Sequence, residues 1–154
     1  SSLHTNDAPA TITRLIEIGA QPYLVGATLL GVLAQRLIRM LCPHCKSPGQ
    51  IDANAWNRLV SPAKIKIPKT AYEKVGCDEC RHTGYLGRIG IYEALIIDAD
   101  MRKLINSTTD LCKYHLAAEK QGMRSLRISG AQKIAEGLTT MDEIYSVIPP
   151  QKEN

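Results

Sequence analysis

Residues 42–45 read Cys-Pro-His-Cys and residues 77–80 read Cys-Asp-Glu-Cys, and these two CxxC turns are the strongest chemical signal in the chain. Each turn presents two sulfurs about one tetrahedral edge apart, so two turns complete a four-sulfur shell for Zn²⁺. Residues 46–76 lie between the pairs, which leaves room for a helix. The spacing predicts a structural zinc site of Cys42, Cys45, Cys77 and Cys80 that has no open position for a substrate.

Other interpretations of the cysteines stay open. Each CxxC pair could pack without a metal or act as a redox dithiol, although a redox motif needs only one pair. His44 and His82 are close to the cysteines in sequence and could replace one sulfur. Cys112 lies near Leu111 and Leu116 in an apolar helical stretch, where we expect it to pack in the core. Two CxxC pairs and an odd fifth cysteine fit a reducing compartment better than a disulfide framework.

The composition is that of an ordinary globular domain. With 154 residues, 44% hydrophobic and 22% charged, the chain is neither disordered throughout nor collagen-like. Aromatic residues make up 5% and Phe is absent, so the core must depend on aliphatic side chains and base-stacking rings are scarce. The net charge of +4 is too mild to establish a nucleic-acid or membrane partner. The longest apolar run, Tyr23 to Ala34, is too short to span a bilayer, and the absence of a signal peptide and of an initial Met suggests a cytosolic fragment that lacks its N-terminal part.

Capping residues, prolines and apolar periodicity predict a mixed helix and strand chain. Helices are expected near residues 8–18, from Pro22 to about Leu30, from Asp52 through Val60, from Asp98 or Asp100 through Ile105, from Thr109 through Lys120, from about Ser125 to Glu136, and after a capping box formed by Thr140 and Glu143. At Gly31–Leu41 a strand and a helix both fit the partial alternation, which has Leu33, Leu37 and Leu41 on one side and Arg36 on the other, and we favour a buried strand. A second strand is expected at Ile89–Ile97, after a glycine-bearing turn at Thr83–Arg88.

Two further motifs are ambiguous from their residues alone. In Ser-Leu-His-Thr-Asn-Asp-Ala at residues 2–8, a helix cap by Asn6 or Asp7 explains most of the pattern. In residues 84–93, Gly87 and Gly90 flank Arg88, so the guanidinium could bind an anion such as a phosphate or could form a surface ion pair. The polar side chains of the first strand have the same two interpretations: Gln35, Arg36 and Arg39.

Four stretches taken in order make the sequence resemble the C-terminal half of the type II secretion and type IV pilus assembly ATPases. They are SLHTNDA (2–8), LLGVLAQRLIRMLCPHC (29–45), GCDECRHTGYLGRIGIYE (76–93) and EGLTTMDEI (136–144). The tetracysteine segment distinguishes this branch from the pilus retraction ATPases, which the resemblance implies lack it. The resemblance also implies that His4 lies beside the nucleotide phosphates, with Thr5 and Asn6 in support, and that Arg88 and Arg36 sense phosphate or contact a neighbouring subunit.

The fold that the resemblance implies is α/β. Residues 1–41 would be the C-terminal part of a RecA-like ATPase core, 42–80 a zinc-binding tetracysteine insertion, 81–97 a return strand, 98–148 a helical C-terminal subdomain and 149–154 a tail. The sequence contains no GxxxxGK[ST] phosphate loop, and neither the acidic box nor the Walker B strand of the family is present. ATP and Mg²⁺ would therefore be held by upstream parts of a longer parent, and we expect this chain alone not to hydrolyse ATP.

The resemblance implies a cytoplasmic hexameric motor, peripheral to the inner membrane, that acts on a membrane platform protein to assemble pilins or pseudopilins. Pilus extension and type II secretion share these motifs, so the sequence does not separate them. The alternative is a zinc-ribbon-like module that binds nucleic acid through a basic set of side chains: Lys64, Lys66, Lys69, Lys74 and Arg81. Because no stacking aromatic residues accompany these charges, a nucleic-acid partner is not expected.

Overall fold

The computed structural model describes residues 1–148, which form two compact units with mixed α/β structure. Unit 1 comprises Ser1–Gln35 and Tyr92–Ser125, and unit 2 comprises Arg36–Ile91 and the described residues from Leu126 onward. The elements in chain order are α1 (Ala8–Glu17), α2 (Pro22–Thr28), β1 (Gly31–Leu41), β2 (Ser47–Gly49), α3 (Ala53–Val60), β3 (Ala71–Glu73), a 3₁₀ turn (Asp78–Cys80), β4 (Tyr85–Ile96), α4 (Ala99–Ser107), α5 (Leu111–Lys120), α6 (Leu126–Ala135) and α7 (Met141–Val147).

The predicted tail, residues 149–154, lies outside the described residues. Between residues 1 and 148, none of the helices combines the length and the apolar character that crossing a bilayer requires.

Two pairs of strands form the sheets. Strand β1 pairs with β4. The N–H of Ile97 donates to the carbonyl of Leu30 and the N–H of Cys42 donates to the carbonyl of Gly84, so the start of β1 lies beside the end of β4 and the two run antiparallel. Strands β2 and β3 are short and antiparallel, with Pro48 opposite Tyr72.

Two helices of unit 1, α1 and α4, start at aspartate caps, as the sequence predicted. Asp7 accepts a hydrogen bond from the N–H of Ala10 at the start of α1, and Asp98 accepts one from Met101 at the start of α4. Helix α1 buries Ala8 and Ile12 and packs against α5, while α2 packs against α4. The packing of these apolar faces, rather than helix propensity, holds the short helices in place.

The start and the orientation of α5 differ from the prediction. Asp110, not Thr109, caps the helix by accepting from the N–H of Cys112. Tyr114 and Ala118 form the buried stripe of α5, four residues apart. Cys112 precedes Tyr114 by two residues and therefore lies on a different face, which is exposed. The expectation that Cys112 packs in the core is wrong.

Unit 2 contains α3, α6 and α7. Asp52 caps α3 as predicted, accepting from the N–H of Ala55, and α3 packs against α6. Thr140 caps α7 by accepting from the N–H of Glu143. The other half of the predicted capping box is missing, because the Glu143 carboxylate binds Arg39 instead.

The two strands that lead into and out of the tetracysteine segment also depart from prediction. In β1 the buried residues are Ala34, Ile38 and Leu41, whereas Leu33 and Leu37 are 65% and 53% exposed. The predicted apolar side is thus wrong for Leu33 and Leu37, because the alternation of the strand turns them away from the side that Ala34 and Ile38 bury.

Strand β4 begins earlier than predicted. It starts at Tyr85 rather than Ile89, so residues 85–88 are strand and not turn. Gly87 has a positive φ of 79°, and the strand continues through it. The ring of Tyr85 is buried and its hydroxyl lies 2.7 Å from Thr140 Oγ1, which anchors the first residue of the strand.

Candidate functional site

The four cysteines of the two CxxC turns come together in one cluster. Their Sγ atoms all lie within 4.8 Å of one another, and the structure gives separations of 3.9 Å for Cys42–Cys77, 3.9 Å for Cys45–Cys80 and 3.8 Å for Cys77–Cys80. Four thiolates about 2.3 Å from a tetrahedral ion are about 3.8 Å apart, whereas a disulfide needs about 2.05 Å. The cluster could therefore hold a metal ion, and the cysteines are free of disulfides.

Local backbone geometry sets each turn. Strand β1 delivers Cys42, whose N–H donates to Gly84, and the N–H of Lys46 then donates to the carbonyl of Cys42 to close the first turn. The second turn is the 3₁₀ segment Asp78–Cys80. Gly76, just before it, has a φ of 116°, and a Cβ there would lie 2.8 Å from the carbonyl oxygen of His82, so only glycine fits without a shift.

Backbone N–H groups point at two of the sulfurs. Gly76 donates to Cys45 Sγ at 3.2 Å, while Cys77 and Gly84 each donate to Cys80 Sγ at 3.2 Å. Such donors stabilise thiolates that bind a metal.

The two sulfurs differ in their pKa values. Burial and the neighbouring thiols raise the pKa of Cys45 to about 11, although the hydrogen bond from the N–H of Gly76 opposes this rise. Burial would also raise the pKa of Cys80, but the N–H groups of Cys77 and Gly84 and its thiol neighbours outweigh it and lower the pKa to about 6.

The neighbouring histidines are not part of this cluster. Within the described chain, the metal-competent group at this place consists of the four cysteines alone. His44 is exposed, and His82 Nε2 lies 3.1 Å from Asp78 Oδ1 in a pair whose side chains are both largely exposed. A separate redox role for each CxxC pair also has no support in the geometry, because sulfurs of the two turns are as close to each other as sulfurs within a turn.

The segment that contains His4, Thr5 and Asn6 belongs to unit 1 and leads into α1. His4 and Asn6 are exposed. Thr5 Oγ1 lies 2.8 Å from Thr11 Oγ1 and 3.2 Å from the carbonyl oxygen of Asp7. Asp7, not Asn6, provides the cap that the sequence left open between them.

Two side chains near this segment were not singled out from the sequence. Glu93 on β4 is 4% exposed and accepts a hydrogen bond from the N–H of Ala8 at 2.8 Å. His115 on α5 places its Nε2 atom 3.5 Å from Asp7 Oδ2. The sequence did carry a signal for Glu93, because it occupies the alternating position between Ile91 and Leu95 on the buried side of the strand. No local pattern marks His115.

Arg36 and Arg88 belong to unit 2. Arg88 is exposed and lines an open cavity of about 240 Å³ together with Arg39, Thr83, Tyr85 and Gly87. Arg36 is half-buried on β1. Of the site residues predicted from the sequence, the structure brings the four cysteines into one cluster. His4, Thr5 and Asn6 lie together in unit 1. Arg36 and Arg88 lie in unit 2, on the paired strands β1 and β4.

Arg39 forms an ion pair with Glu143 in unit 2. Its backbone N–H and its Nε atom donate to the carboxylate of Glu143 at 2.9 Å and 2.8 Å, and its guanidinium stacks 4.3 Å from the centre of the Tyr85 ring. Burial alone would raise the pKa of Glu143, but the hydrogen bonds from Arg39 outweigh it and lower that pKa below its usual value. Of the two interpretations that the sequence left open for Arg39, the structure shows the ion pair, and the Arg39 side chain stays 51% exposed.

The basic stretch after α3 has the exposure expected of a solvated surface. Lys64, Lys66 and Lys69 are all exposed, and the indole of Trp56 is buried, with its Nε1 donating to the carbonyl of Ile65. The buried ring offers no stacking surface for a base, which argues against the nucleic-acid module.

Comparison with known proteins gives a consistent result. The family model described as "Type II/IV secretion system protein" matches residues 1–146. The type IV pilus assembly ATPase TfpB of Acinetobacter baylyi is 52% identical over 149 residues, which are 97% of this chain and 26% of that protein. The type IV pilus assembly ATPase PilB of Myxococcus xanthus is 42% identical, covering 99% of this chain and 27% of the relative. The type II secretion system protein E of Pseudomonas aeruginosa is 43% identical, covering 96% and 29%. The chain thus spans between a quarter and a third of the length of these relatives.

Proposed function

The chain belongs to the type II/IV secretion system protein family, and from this premise we propose that it is the C-terminal part of a motor ATPase that drives assembly of pilins or pseudopilins. The observation that carries the proposal is the similarity over nearly the whole chain to proteins named as ATPases of pilus assembly and secretion. The parent would bind ATP and Mg²⁺ through a phosphate loop and acidic groups that this sequence does not contain. The isolated chain is therefore expected to be inactive.

We propose Zn²⁺ as the metal of the tetracysteine cluster. Four thiolates with tetrahedral spacing are the donor set that zinc prefers, and a closed set of four leaves no position for a substrate. Zinc would join the ends of two loops, so its contribution is to stability rather than to catalysis. Nucleotide hydrolysis would take place away from this cluster.

For the nucleotide, we propose His4 as the catalytic group contributed by this chain, supported by Thr5 and Asn6. An imidazole next to phosphate can donate a hydrogen bond to a developing charge. We further propose that Arg88 and Arg36 bind phosphate or a neighbouring subunit. The exposure of Arg88, which lines an open cavity, supports an anion-binding role.

The larger assembly is part of the same proposal. Residues 1–41 would complete a RecA-like core, 42–80 would be the zinc-binding insertion, 81–97 the return strand and 98–148 a helical subdomain. The parent would work as a cytoplasmic homo-hexamer, peripheral to the inner membrane, and pass its conformational change to a platform protein there.

The test is steady-state ATP hydrolysis by the full-length parent that contains this sequence. Mg²⁺-dependent phosphate release is expected, and His4→Ala and Arg88→Ala should each lower turnover about tenfold or more without lowering the melting temperature. Lys103→Ala is the matched control, because Lys103 is a basic side chain, 81% exposed, whose partner Asp100 is also exposed. Its turnover should equal that of the parent.

Two results would contradict the proposal separately. A full-length protein that shows no Mg²⁺-dependent hydrolysis would refute the motor function. A His4→Ala or Arg88→Ala protein that turns over at the parental rate would refute only the role of that residue.

A further inference from the structure

Several side-chain contacts hold the first turn of α1 and the residues just before it. Asp7 Oδ1 accepts from the N–H of Ala10 at 2.8 Å, and Thr11 Oγ1 lies 3.4 Å from the Asp7 carbonyl oxygen and 2.8 Å from Thr5 Oγ1. These contacts connect Thr5 to the helix through two hydroxyls and a carbonyl. The chain is thus fixed up to Thr5, and His4 is the next residue outward.

Glu93 fixes the same turn from the sheet. Its carboxylate is buried on β4, and Oε1 accepts from the N–H of Ala8, the first residue of α1, across 85 positions of sequence. An N–H at a helix start has no partner within the helix, and a carboxylate there also complements the positive end of the helix dipole. A buried carboxylate is costly unless it is paired in this way.

His115 on α5 also contacts this turn. Its Nε2 atom lies 3.5 Å from Asp7 Oδ2, and both side chains are less than one-third exposed. Asp7 therefore uses one carboxylate oxygen for the cap and the other for α5. Three elements of unit 1, α1, β4 and α5, converge on the four residues from Thr5 to Ala8.

We propose that Glu93 and His115 are positioning residues for His4: they hold the first turn of α1 and so set the direction in which His4, Thr5 and Asn6 leave it. This inference rests on the proposed role of His4 beside the nucleotide phosphates. A displacement of about 1 Å in a catalytic group can cost about a hundredfold in rate, so anchoring of this kind has a measurable effect on turnover. Glu93 and His115 act through His4 and do not touch the nucleotide themselves.

The experiment is a double-mutant cycle on ATP turnover in the full-length parent. Glu93→Ala removes the acceptor of the Ala8 N–H, and kcat should fall about tenfold with KM for ATP changed less than about threefold. Glu93→Gln keeps an oxygen acceptor and should retain at least about a third of the turnover. His115→Ala, which leaves the cap on Ala10 intact, should lower kcat by about two- to fivefold.

The cycle separates positioning from general loss of structure. When His4 is already replaced by Ala, adding Glu93→Ala should lower kcat less than about twofold, because the group that Glu93 positions is gone. Thr11→Val offers a second perturbation that leaves Glu93 in place and removes the hydroxyl 2.8 Å from Thr5 Oγ1, and its effect should likewise vanish without His4. Lys103→Ala again serves as the control.

The outcomes separate the proposed role of His4 from the positioning role of Glu93 and His115. If His4→Ala lowers turnover but Glu93→Ala and His115→Ala do not, or if the effects of Glu93→Ala and His4→Ala multiply, the positioning inference is overturned. If His4→Ala itself has parental turnover, the proposed role of His4 fails, and the positioning inference fails with it. Reduced turnover that is rescued by Glu93→Gln and masked by His4→Ala supports both.

Discussion

Replacing Arg39 by Met tests how much the Arg39–Glu143 pair stabilises unit 2. The Glu143 side chain is 4% exposed, and it accepts from the backbone N–H, the Nε and the Nη2 of Arg39. Methionine keeps the aliphatic stem that lies near Tyr85 and keeps the backbone donor. The variant therefore removes only the guanidinium and leaves a buried carboxylate with one of its three hydrogen bonds from Arg39.

The expected cost follows from this geometry. A hydrogen bond to a charged group contributes about 1.5–3 kcal/mol, and two such bonds are lost. The Arg39 side chain is 51% exposed, so water screens the pair and can replace part of the guanidinium, which lowers the expected total to about 2 kcal/mol. Loss of the cation–π contact with Tyr85 adds about 0.5 kcal/mol. We expect destabilisation of about 2–3 kcal/mol and a fall in melting temperature of about 5–10 °C.

The assay is urea unfolding at pH 7 followed by tryptophan fluorescence. Trp56 is the single tryptophan of the chain and lies in unit 2, so its signal reports on the unit that contains the pair. The cycle of Arg39→Met, Glu143→Gln and the double variant gives the coupling energy. Lys133→Met is the control, because Lys133 and Glu136 form a local i,i+3 pair on the surface, where the expected cost is under about 0.5 kcal/mol. An Arg39→Met protein as stable as that control would refute the reasoning.

Acidification supplies a second, independent check on the same pair. The folded pKa of Glu143 is lowered, so the stabilisation from the pair is present above the unfolded pKa of about 4.5 and is lost only as pH falls through the folded value. In the Arg39→Met protein burial is opposed only by the backbone N–H of residue 39 and the Ser146 hydroxyl, so the Glu143 pKa should rise. The difference in unfolding free energy between the two proteins should therefore shrink as pH falls from 7 to about 4.5, because Glu143 takes up its proton earlier in the folded variant, and a constant difference would contradict the prediction.

The remaining predictions concern the metal, the nucleotide and the helix packing. The purified reduced chain should contain one Zn²⁺ per molecule by elemental analysis, and Cys77→Ser should lose it; less than about half an equivalent in the unmodified chain would contradict the site. Chelation should increase amide exchange at residues 76–84 more than at residues 56–60. The chain alone should release no phosphate from ATP in a Mg²⁺-dependent assay, and turnover comparable to that of the full-length parent would show that the catalytic groups are misplaced. Gly130→Ala should destabilise unit 2 by about 1–3 kcal/mol in urea unfolding, because its Cβ would lie 2.7 Å from Ile144 Cδ1, and an unchanged midpoint would mean that α6 and α7 can separate at no cost.

The features that the sequence predicted well are those encoded within a few residues. Asp7, Asp52 and Asp98 each accept from an N–H three residues ahead, so the starts of their helices can be found from the sequence alone. The tetracysteine cluster joins two turns that are far apart in sequence, but it too could be predicted from local motifs. The spacing within each CxxC turn is local. Because a tetrahedral ion needs four ligands and each turn provides two, the two turns are expected to meet.

The features that could not be predicted depend on partners far away in sequence. Glu143 lies where a capping box requires a glutamate, yet its carboxylate binds Arg39, 104 residues earlier, because a guanidinium and a strand N–H together offer more than the single N–H of the cap. Glu93 and Ala8 are 85 positions apart. The prediction that Cys112 is buried was wrong for a related reason. Its apolar neighbours in sequence predicted a buried face, but the face of α5 that packs contains Tyr114 and Ala118.

The tetracysteine segment has apolar and polar contacts that do not depend on a metal. Helix α3, between the CxxC turns, buries Trp56, Leu59 and Val60 and packs against α6, while the Tyr145 hydroxyl of α7 donates to the carbonyl of Ala55. Next to the cluster, Lys46 donates to the carbonyl of Gly137 and its Nζ lies 4.4 Å from the centre of the Tyr72 ring. Because α3 has its own apolar contacts, a metal is not needed to hold it. A bound metal would instead fix the two CxxC turns to each other, and the backbone beside the second turn has positive φ at Gly76, Arg81 and His82. Four thiolates on one ion would stabilise these turns in addition to their packing.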